Sequence, residues 1–229
     1  MFKCAREMER VGLPIDPVRW KTWRDKATFY RDRAYHVIEQ VAGKGFNPSS
    51  APQLQYLLYA PQGPCKLIAA KRTAPSRQHP HGQDSTDKTA LLAHKGHTVV
   101  DALLDYRRWN YTLNTNMKEA VVFQDWRLRV QWNPLGARTG RWTTKGLNAQ
   151  NWFKTILVNI REGQVHPADA HLLESHSDAW MRIPGIREVV CAPEGRMIVG
   201  ADSSQAEIRA VAALSGETKL IEILARGDA

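Results

Sequence analysis

The residues best suited to chemistry lie late in the chain, where a carboxylate follows an apolar run. Residues 197–201 read Met-Ile-Val-Gly-Ala, short enough for a buried strand, and Asp202 comes directly after them. Ser204 and Glu207 have the spacing of a capping box, which predicts a helix that begins near Ser204 and ends at Gly216. A carboxylate between a strand and a helix is a common metal ligand, and the alternative for Asp202 is plain helix capping.

A second polar stretch, residues 137–151, combines cations with neutral hydrogen-bond donors. Arg138 and Arg141 can reach phosphates or acceptors in the minor groove of a duplex. This mixture suits a surface laid along a nucleic-acid backbone, although taken alone it is more often an ordinary polar loop. The neutral donors of the stretch are Thr143, Thr144, Asn148, Gln150 and Asn151.

The overall composition points to a polyanionic partner. The 229 residues include 32 Lys and Arg against 23 Asp and Glu, a formal net charge of +9. This balance favours nucleic acid first and an anionic membrane surface second, with simple solubility as the alternative. The three cysteines are far apart and form no CxxC pair, which argues against a disulfide framework or a zinc site. Without a signal peptide or a membrane-length apolar run, we expect a cytoplasmic protein that is neither secreted nor membrane-bound.

Helical patterns dominate the first half of the sequence. Asp16 as a cap and Pro17 in the first turn predict the start of a long helix, and Gly43 predicts its end. The predicted helices cover the residues before Gly12 and residues 17–41, 51–59, 98–121 and 217–225, and Ser85-Thr86-Asp87 caps a further short helix that extends to about Lys95. Predicted core positions of the two longest helices are Trp20, Trp23, Ala27, Tyr30, Ala34 and Val37 in one and Val99, Leu103, Tyr106, Leu113 and Met117 in the other.

Three other segments interrupt or follow these helices. Residues 61–84 are rich in Pro, Gly, Gln and basic residues and predict a mobile, cationic loop. Residues 126–132 alternate apolar and polar side chains and predict a half-buried strand. The polar run 161–177 predicts an inserted loop. Within 61–84, a metal site is the less favoured reading of His79, His81 and Asp84, because His-Pro-His in a flexible loop is more often solvated.

Four matches in one order connect these stretches to a known family. Thr139-Gly140-Arg141 continues to Asn148-Ala149-Gln150-Asn151, and residues 202–209 read DSSQAEIR before an Ala-x-Leu-Ser-Gly continuation. Residues 8–16 and 46–54 supply the other two matches. Together they resemble family A DNA polymerases, the DNA polymerase I type, in which TGR precedes Asn-Leu-Gln-Asn and motif A reads Asp-Tyr-Ser-Gln-Ile-Glu-Leu-Arg.

The resemblance implies an α+β fold that is part of a right hand. Residues 1–122 correspond to a helical thumb with its basic loop at about 61–84. Residues 123–229 correspond to a partial palm, whose first antiparallel strands and motif A helix carry an insert at about 161–184. The right-hand fold implied for this chain is incomplete.

The resemblance also implies roles for individual residues. Asp202 resembles one of two carboxylates that hold a catalytic Mg²⁺ pair, with the Ser203 carbonyl as a further ligand. Glu207 resembles the steric gate that rejects ribonucleotides, with helix capping as its alternative role. Gln205, Ala206 and Arg209 correspond to nucleotide-binding positions, Arg209 having a solvated helix arginine as its alternative. The implied DNA-binding residues are Arg138, Thr139, Arg141, Thr143, Asn148, Gln150 and Asn151.

Two departures from the family pattern fall within motif A. Ser203 stands where the family usually has Tyr, which removes an aromatic neighbour of the metal. Ala206 stands where Ile is usual, which enlarges the pocket beside the incoming nucleotide. Both departures bear on the fidelity of nucleotide selection.

The implied function is the N-terminal portion of a DNA-directed DNA polymerase acting on primer-template DNA and a dNTP. The fingers helix and the second palm carboxylate are not found in the sequence, so we expect the chain alone to be inactive. A C-terminal polymerase half is the expected partner. Its separation from this chain would follow from a split gene, a gene interrupted by an intein or intron, or a truncated sequence. The divergent motifs favour a phage source. The alternatives are a non-catalytic DNA-binding remnant and a single-subunit RNA polymerase relative, against which Glu207 and the TGR segment argue.

Overall fold

The structure is a computed structural model that describes residues 2–118, 124–147, 149–159, 173–177, 180–200 and 204–226. It divides into two compact units, Met1–Cys191 and Ala192–Ala229. Within the described residues, no helix is both long enough and apolar enough to cross a bilayer.

The first unit contains five α-helices and seven short strands in the part of it that the structure describes. The helices are α1 (Phe2–Val11), α2 (Pro17–Ala42), α3 (Ala51–Tyr59), α4 (Lys88–Leu92) and α5 (Thr98–Tyr111). The strands are β1 (Leu13–Pro14), β2 (Arg127–Leu128), β3 (Gln131–Asn133), β4 (Thr143–Lys145), β5 (Ile156–Asn159), β6 (Glu174–Ser177) and β7 (Trp180–Ile183).

Helix α2 is the long central helix, and its ends follow from local chemistry. The Asp16 carboxylate accepts hydrogen bonds from the backbone N–H groups of Val18 and Arg19, at 2.9 and 3.0 Å. At the other end, Gly43 adopts a φ of 89°, which favours glycine, and donates its N–H to Glu39. The prediction for this helix is confirmed, except that the predicted core residues Tyr30 and Val37 are only partly buried and Ile38 is buried instead.

Helix α5 packs along α2 and passes into a π-helix, Thr112–Asn116. The predicted core positions Val99, Leu103, Leu113 and Met117 are buried. The predicted continuation to residue 121 lies partly outside the described residues. Helix α3 has the predicted bounds. Helix α4 begins after Asp87, whose side chain accepts from the Ala90 N–H as the predicted cap requires, but it ends at Leu92, before the predicted Lys95.

Two hydrophobic cores hold the first unit together. One joins α3, α4, the first half of α5 and the second half of α2 around Ile38, Leu58 and Leu103. The other joins the first half of α2 to strands and turns late in this unit. Its buried members include Trp20, Trp23, Trp109, Leu128, Trp152 and Ile186.

The predicted strand over 126–132 is broken into two pieces. Strand β2 pairs with β1, and β3 pairs with β4, so the two pieces belong to different ladders. Leu128 and Val130 are buried as the alternation predicts. Trp126 is not part of the strand, because its φ of 53° is left-handed and its ring is exposed.

A three-stranded antiparallel sheet follows, in the order β5-β7-β6. The prediction of an inserted loop over 161–177 is wrong for residues 174–177, which form β6, whereas 160–172 lie outside the described residues. The polar composition suggested a loop, but the polar side chains make contacts within the strand's surroundings: Glu174 in β6 pairs with Lys26 of α2 at 2.6 Å and with Arg182 of β7 at 2.8 Å. These ion pairs link β6 to α2 and add to the backbone pairing that joins β6 to β7.

The cationic loop 61–84 is anchored to the helices next to it. Backbone N–H groups of Cys65 and Leu67 donate to carbonyls of α3, and the Thr73 N–H donates to Gln83 across the loop. Its mobility stays a prediction.

The second unit contains α6 (Ala206–Ser215) and α7 (Thr218–Arg226). The predicted buried strand is wrong over residues 197–200, which are exposed and pair with no strand among the described residues. Hydrophobicity alone does not stabilise a strand, because its backbone needs a hydrogen-bonded neighbour. Gly216 ends α6 in a left-handed conformation, as predicted.

Candidate nucleic-acid interface

The TGR segment forms the connection of a β-hairpin. Strands β3 and β4 pair with Asn133 opposite Thr143, which leaves the residues between them as the loop of the hairpin. Gly140 has a φ of 76°, and at Gly136 a Cβ would overlap the Thr143 side chain. The two glycines therefore allow a tight loop that residues with side chains would distort.

This loop exposes the side chains that the sequence singled out. Arg138, Thr139 and Arg141 are exposed, and Thr143 is partly buried in β4. The hairpin is held to the body of the unit by Glu9 of α1, whose carboxylate accepts from the Trp132 N–H at 2.6 Å. Trp132 and Trp142 contact edge to face across the hairpin, with ring centroids 6.3 Å apart.

Gln150 and Asn151 lie beside the hairpin on a 3-10 helix, Ala149–Asn151. The Gln150 side-chain amide donates to the Trp142 carbonyl at 3.1 Å, which links this short helix to the hairpin. Leu147 and Trp152 are each 2% exposed and anchor the segment on both sides. Asn148 lies outside the described residues. The structure thus brings Gln150 to the hairpin and leaves Gln150 and Asn151 exposed.

Neighbouring basic residues are engaged in contacts within the protein. The Arg127 guanidinium donates to the carbonyl of Val11 at 3.1 Å. Arg129 donates to the Asp125 carboxylate at 2.9 Å, and this hydrogen bond lowers the pKa of Asp125 and raises that of Arg129. The exposed Arg138 and Arg141 of the hairpin loop stay the candidates for contact with a ligand.

Sequence reasoning missed the residues that support this segment from behind. Arg187 donates from Nε to the Trp152 carbonyl at 2.7 Å and from a terminal nitrogen to the Gln150 carbonyl at 3.2 Å. No spacing rule indicates a contact between residues so far apart in sequence. Glu9 was missed for the same reason.

In the second unit, the predicted capping box is wrong. Gln205, and not Ser204, occupies the N-cap of α6, with a left-handed φ of 52° and, among the described residues, no side-chain capping hydrogen bond. Its Oε1 atom is buried without a hydrogen-bond partner in the described part of the chain. Ala206 and Glu207 are exposed in the first turn.

Arg209 joins the two helices of this unit. Its Nε donates to the Ser204 carbonyl and a terminal nitrogen donates to the Leu224 carbonyl of α7, both at 2.9 Å. Arg209 is therefore not simply a solvated helix arginine, because it fixes the turn before α6 against the end of α7. Its predicted nucleotide contact stays a prediction.

The predicted metal ligands Asp202 and Ser203 lie outside the described residues. A carboxylate and a backbone carbonyl are oxygen donors, which suit Mg²⁺. In the part of the chain that the structure describes, no three or more His, Cys, Asp or Glu side chains are grouped so that they could hold a metal ion. His79, His81 and Asp84, which lie in that part, therefore form no such group.

Comparison with known proteins identifies the family. Residues 24–228 match the family model of DNA polymerase family A. DNA polymerase I of Caldicellulosiruptor bescii is 28% identical over 94% of this chain and 22% of its own length. The thermostable DNA polymerase I of Thermus filiformis is 29% identical over 99% of this chain and 24% of its own length. The chain thus spans about a quarter of the length of these relatives.

A solved structure supports the same fold. The POL domain of Pol1 from M. smegmatis, in complex with DNA primer-template and dNTP, superposes with a TM-score of 0.64 at 24% identity. The match covers 97% of this chain and 34% of that one. With the family model matching most of its length, the chain belongs to DNA polymerase family A.

Proposed function

We propose that this chain supplies the primer-template surface and motif A of a DNA-directed DNA polymerase. The observation that carries this proposal is the β3–β4 hairpin, whose loop exposes Thr139 and Arg141 of the TGR motif, and Arg138 just before it, within the region that matches the family. Residues 1–122 correspond to the thumb and residues 123–229 to part of the palm.

The DNA contacts are proposed for one continuous surface of the first unit. Arg138 and Arg141 pair with phosphates or minor-groove acceptors, and Thr139 and Thr143 donate hydroxyl hydrogen bonds. Gln150 and Asn151 are placed next to the hairpin through the bond to Trp142 and contact the duplex on the same side. Asn148 belongs to the same proposed surface. These contacts position a duplex and read its shape more than its sequence.

The chemistry is proposed for motif A in the second unit. Asp202 and the Ser203 carbonyl hold Mg²⁺, which when bound lowers the pKa of the primer hydroxyl and neutralises charge on the triphosphate. Glu207 crowds the 2′ position of the incoming sugar and so excludes ribonucleotides. Gln205, Ala206 and Arg209 border the same nucleotide.

We propose that a second polypeptide segment completes this site. Two-metal chemistry needs more than one carboxylate. The family motifs matched in this sequence supply one of them, Asp202. The M. smegmatis relative was solved with primer-template DNA and dNTP, which supports these two as the ligands here. A C-terminal half with the fingers and the second palm carboxylate is the proposed partner.

Templated dNTP incorporation by the 229-residue chain with Mg²⁺ tests this proposal. We expect binding of a labelled primer-template duplex with little or no extension, and extension when a C-terminal polymerase half is added. Robust extension by the chain alone would show that it needs no second segment. Failure to bind the duplex would contradict the proposed surface.

A further inference from the structure

The segment that carries Gln150 and Asn151 lies against a turn formed by Gly185, Arg187 and Glu188, here called the clamp. Arg187 and Glu188 belong to a 3-10 helix, Ile186–Val189, that follows β7 directly. Ile186 and Val189 of this helix are fully buried in the hydrophobic core around Trp152. The clamp is therefore fixed to the body of the unit and can hold a neighbouring segment in place.

Gly185 lets the two backbones approach closely. A Cβ at this position would lie 2.6 Å from the Phe153 carbonyl oxygen and would also overlap the backbone of Lys154 and Thr155. The Gly185 N–H donates to the Thr155 hydroxyl at 3.1 Å, and that hydroxyl donates in turn to the Glu188 carboxylate. Only glycine fits here, because any side chain would push the 150–155 segment away.

Arg187 makes the contacts that reach the exposed end of the segment. Its guanidinium donates to the carbonyls of Trp152 and Gln150, at 2.7 and 3.2 Å. A planar guanidinium with several donors can hold two carbonyls at once, which a lysine ammonium cannot do in the same fixed geometry. Gln150 is thus held at its carbonyl by Arg187 and at its side-chain amide by Trp142.

We infer that Arg187 is a positioning residue for the DNA surface: it fixes the backbone of Gln150 and Asn151 so that their side chains meet the duplex without first becoming ordered. The effect of Arg187 on DNA binding rests on the proposed function, whereas the contacts of the clamp are present in the protein without DNA. Preorganisation of this kind strengthens binding because less conformational freedom is lost on association.

Amide hydrogen exchange tests the clamp without DNA. We expect Arg187→Met to speed exchange in peptides spanning 149–155 by about tenfold and to leave α2 and α5 unchanged, since local opening reports local contacts. Arg187→Lys should give an intermediate exchange rate. It replaces the Met variant in this test if the Met variant does not fold. Arg33→Met removes the same charge from an exposed position on α2 and should have no effect on this segment. Unchanged exchange in 149–155 for the Arg187 variants would overturn the inference.

Affinity for a labelled primer-template duplex, measured by fluorescence anisotropy, tests the consequence. We expect Arg187→Met to weaken binding by about tenfold relative to Arg33→Met, and to have no further effect when Gln150 and Asn151 are already alanine. The same loss in that alanine background would mean that Arg187 contacts DNA itself, which overturns a positioning role. If the unaltered chain binds no duplex, the proposed function is contradicted. The exchange experiment still tests whether Arg187 holds residues 149–155 in place, because it needs no DNA.

Discussion

Lys66 is held in an unfavourable backbone conformation by its neighbours on both sides. Its φ is 50°, in the left-handed region that side chains with a Cβ avoid. The N–H groups of Cys65 and Leu67 donate to Leu57 and Leu58, at 3.0 and 2.7 Å, so the chain cannot relax at Lys66 without losing these bonds. The Lys66 side chain is exposed, so no burial of this side chain offsets the unfavourable backbone conformation.

Replacing Lys66 by glycine should therefore stabilise the protein. We expect Lys66→Gly to raise the free energy of unfolding by about 0.5 kcal/mol, the strain relieved less the added freedom of the unfolded chain. Urea unfolding followed by circular dichroism measures the change. Lys44→Gly, at an exposed turn residue without positive φ, is the control and should be destabilising. A loss of stability at Lys66 as large as at Lys44 would contradict the strain.

Asp202 is the residue on which the proposed chemistry depends. In the chain completed by the proposed C-terminal half, we expect Asp202→Ala to lower templated incorporation by about a thousandfold or more, because the proposed metal ligand is lost. Affinity for the duplex should stay close to that of the unaltered protein. Single-turnover extension and anisotropy on the same samples separate the two quantities.

The matched control for Asp202 is Asp32→Ala, which removes an exposed carboxylate of α2 that pairs with Arg31. It should leave synthesis unchanged. Undiminished synthesis by the Asp202 variant would instead favour the non-catalytic DNA-binding alternative for this chain.

At the scale of elements, Asp87 connects the cationic loop to the helical core. It accepts hydrogen bonds from the Ala90 N–H at the start of α4 and from Lys71 of the loop, at 2.8 and 2.5 Å. The hydrogen bond from Lys71, followed by that from Ala90, lowers the pKa of Asp87 to about 2. Protonation of this carboxyl weakens both contacts, so the attachment of the loop depends on pH.

The direction of this pH dependence follows from the lowered pKa. A carboxyl with a depressed folded-state pKa stabilises the fold above its unfolded pKa of about 4, and this contribution is lost as pH falls toward 2. We expect Asp87→Asn to be destabilising near neutral pH, with the difference from the unaltered protein shrinking between about pH 4 and pH 2. Urea unfolding across this range measures it, with Asp32→Asn as a charge-matched control. A difference independent of pH would mean that Asp87 does not act through its charge.

The elements that the sequence predicted well are those whose boundaries depend on nearby residues. Helix α2 begins at Asp16 and Pro17 and ends at Gly43, all readable from local chemistry. Strands β5 to β7 were missed because they are stabilised by pairing across the insert and by the contact of Glu174 with Lys26, which no local pattern encodes. The apolar run 197–200 shows the reverse case, in which a strand-like pattern lacks a partner strand among the described residues.

The candidate interface divides in the same way. The exposure of Arg138, Thr139 and Arg141 on a loop could be predicted, because cations and glycines favour a solvated turn. Their display on a β-hairpin could not, since the residues of β4, Thr143 to Lys145, have no alternation of apolar and polar side chains that predicts a strand. Arg187 could not be found either, because its partners lie about 35 residues away in sequence.

At the scale of the whole molecule, the net charge of +9 is the property most relevant to DNA. A cationic protein attracts a duplex over a longer range than any single contact, and each phosphate contact releases bound counterions. The exposed Arg138 and Arg141 of the hairpin should contribute to this release through their proposed phosphate contacts.

Salt dependence therefore distinguishes the hairpin from the remaining positive surface. We expect the affinity for a duplex to fall linearly on a log–log plot against salt, and the double variant Arg138→Ala, Arg141→Ala to reduce the slope by about 2, one for each lost phosphate contact. The control, Arg6→Ala with Arg33→Ala, removes the same charge from exposed positions on α1 and α2 and should change the slope by less. Equal changes in both pairs would mean that the duplex responds to net charge and not to the hairpin. A flat salt response in the unaltered protein would exclude phosphate contacts as the source of binding.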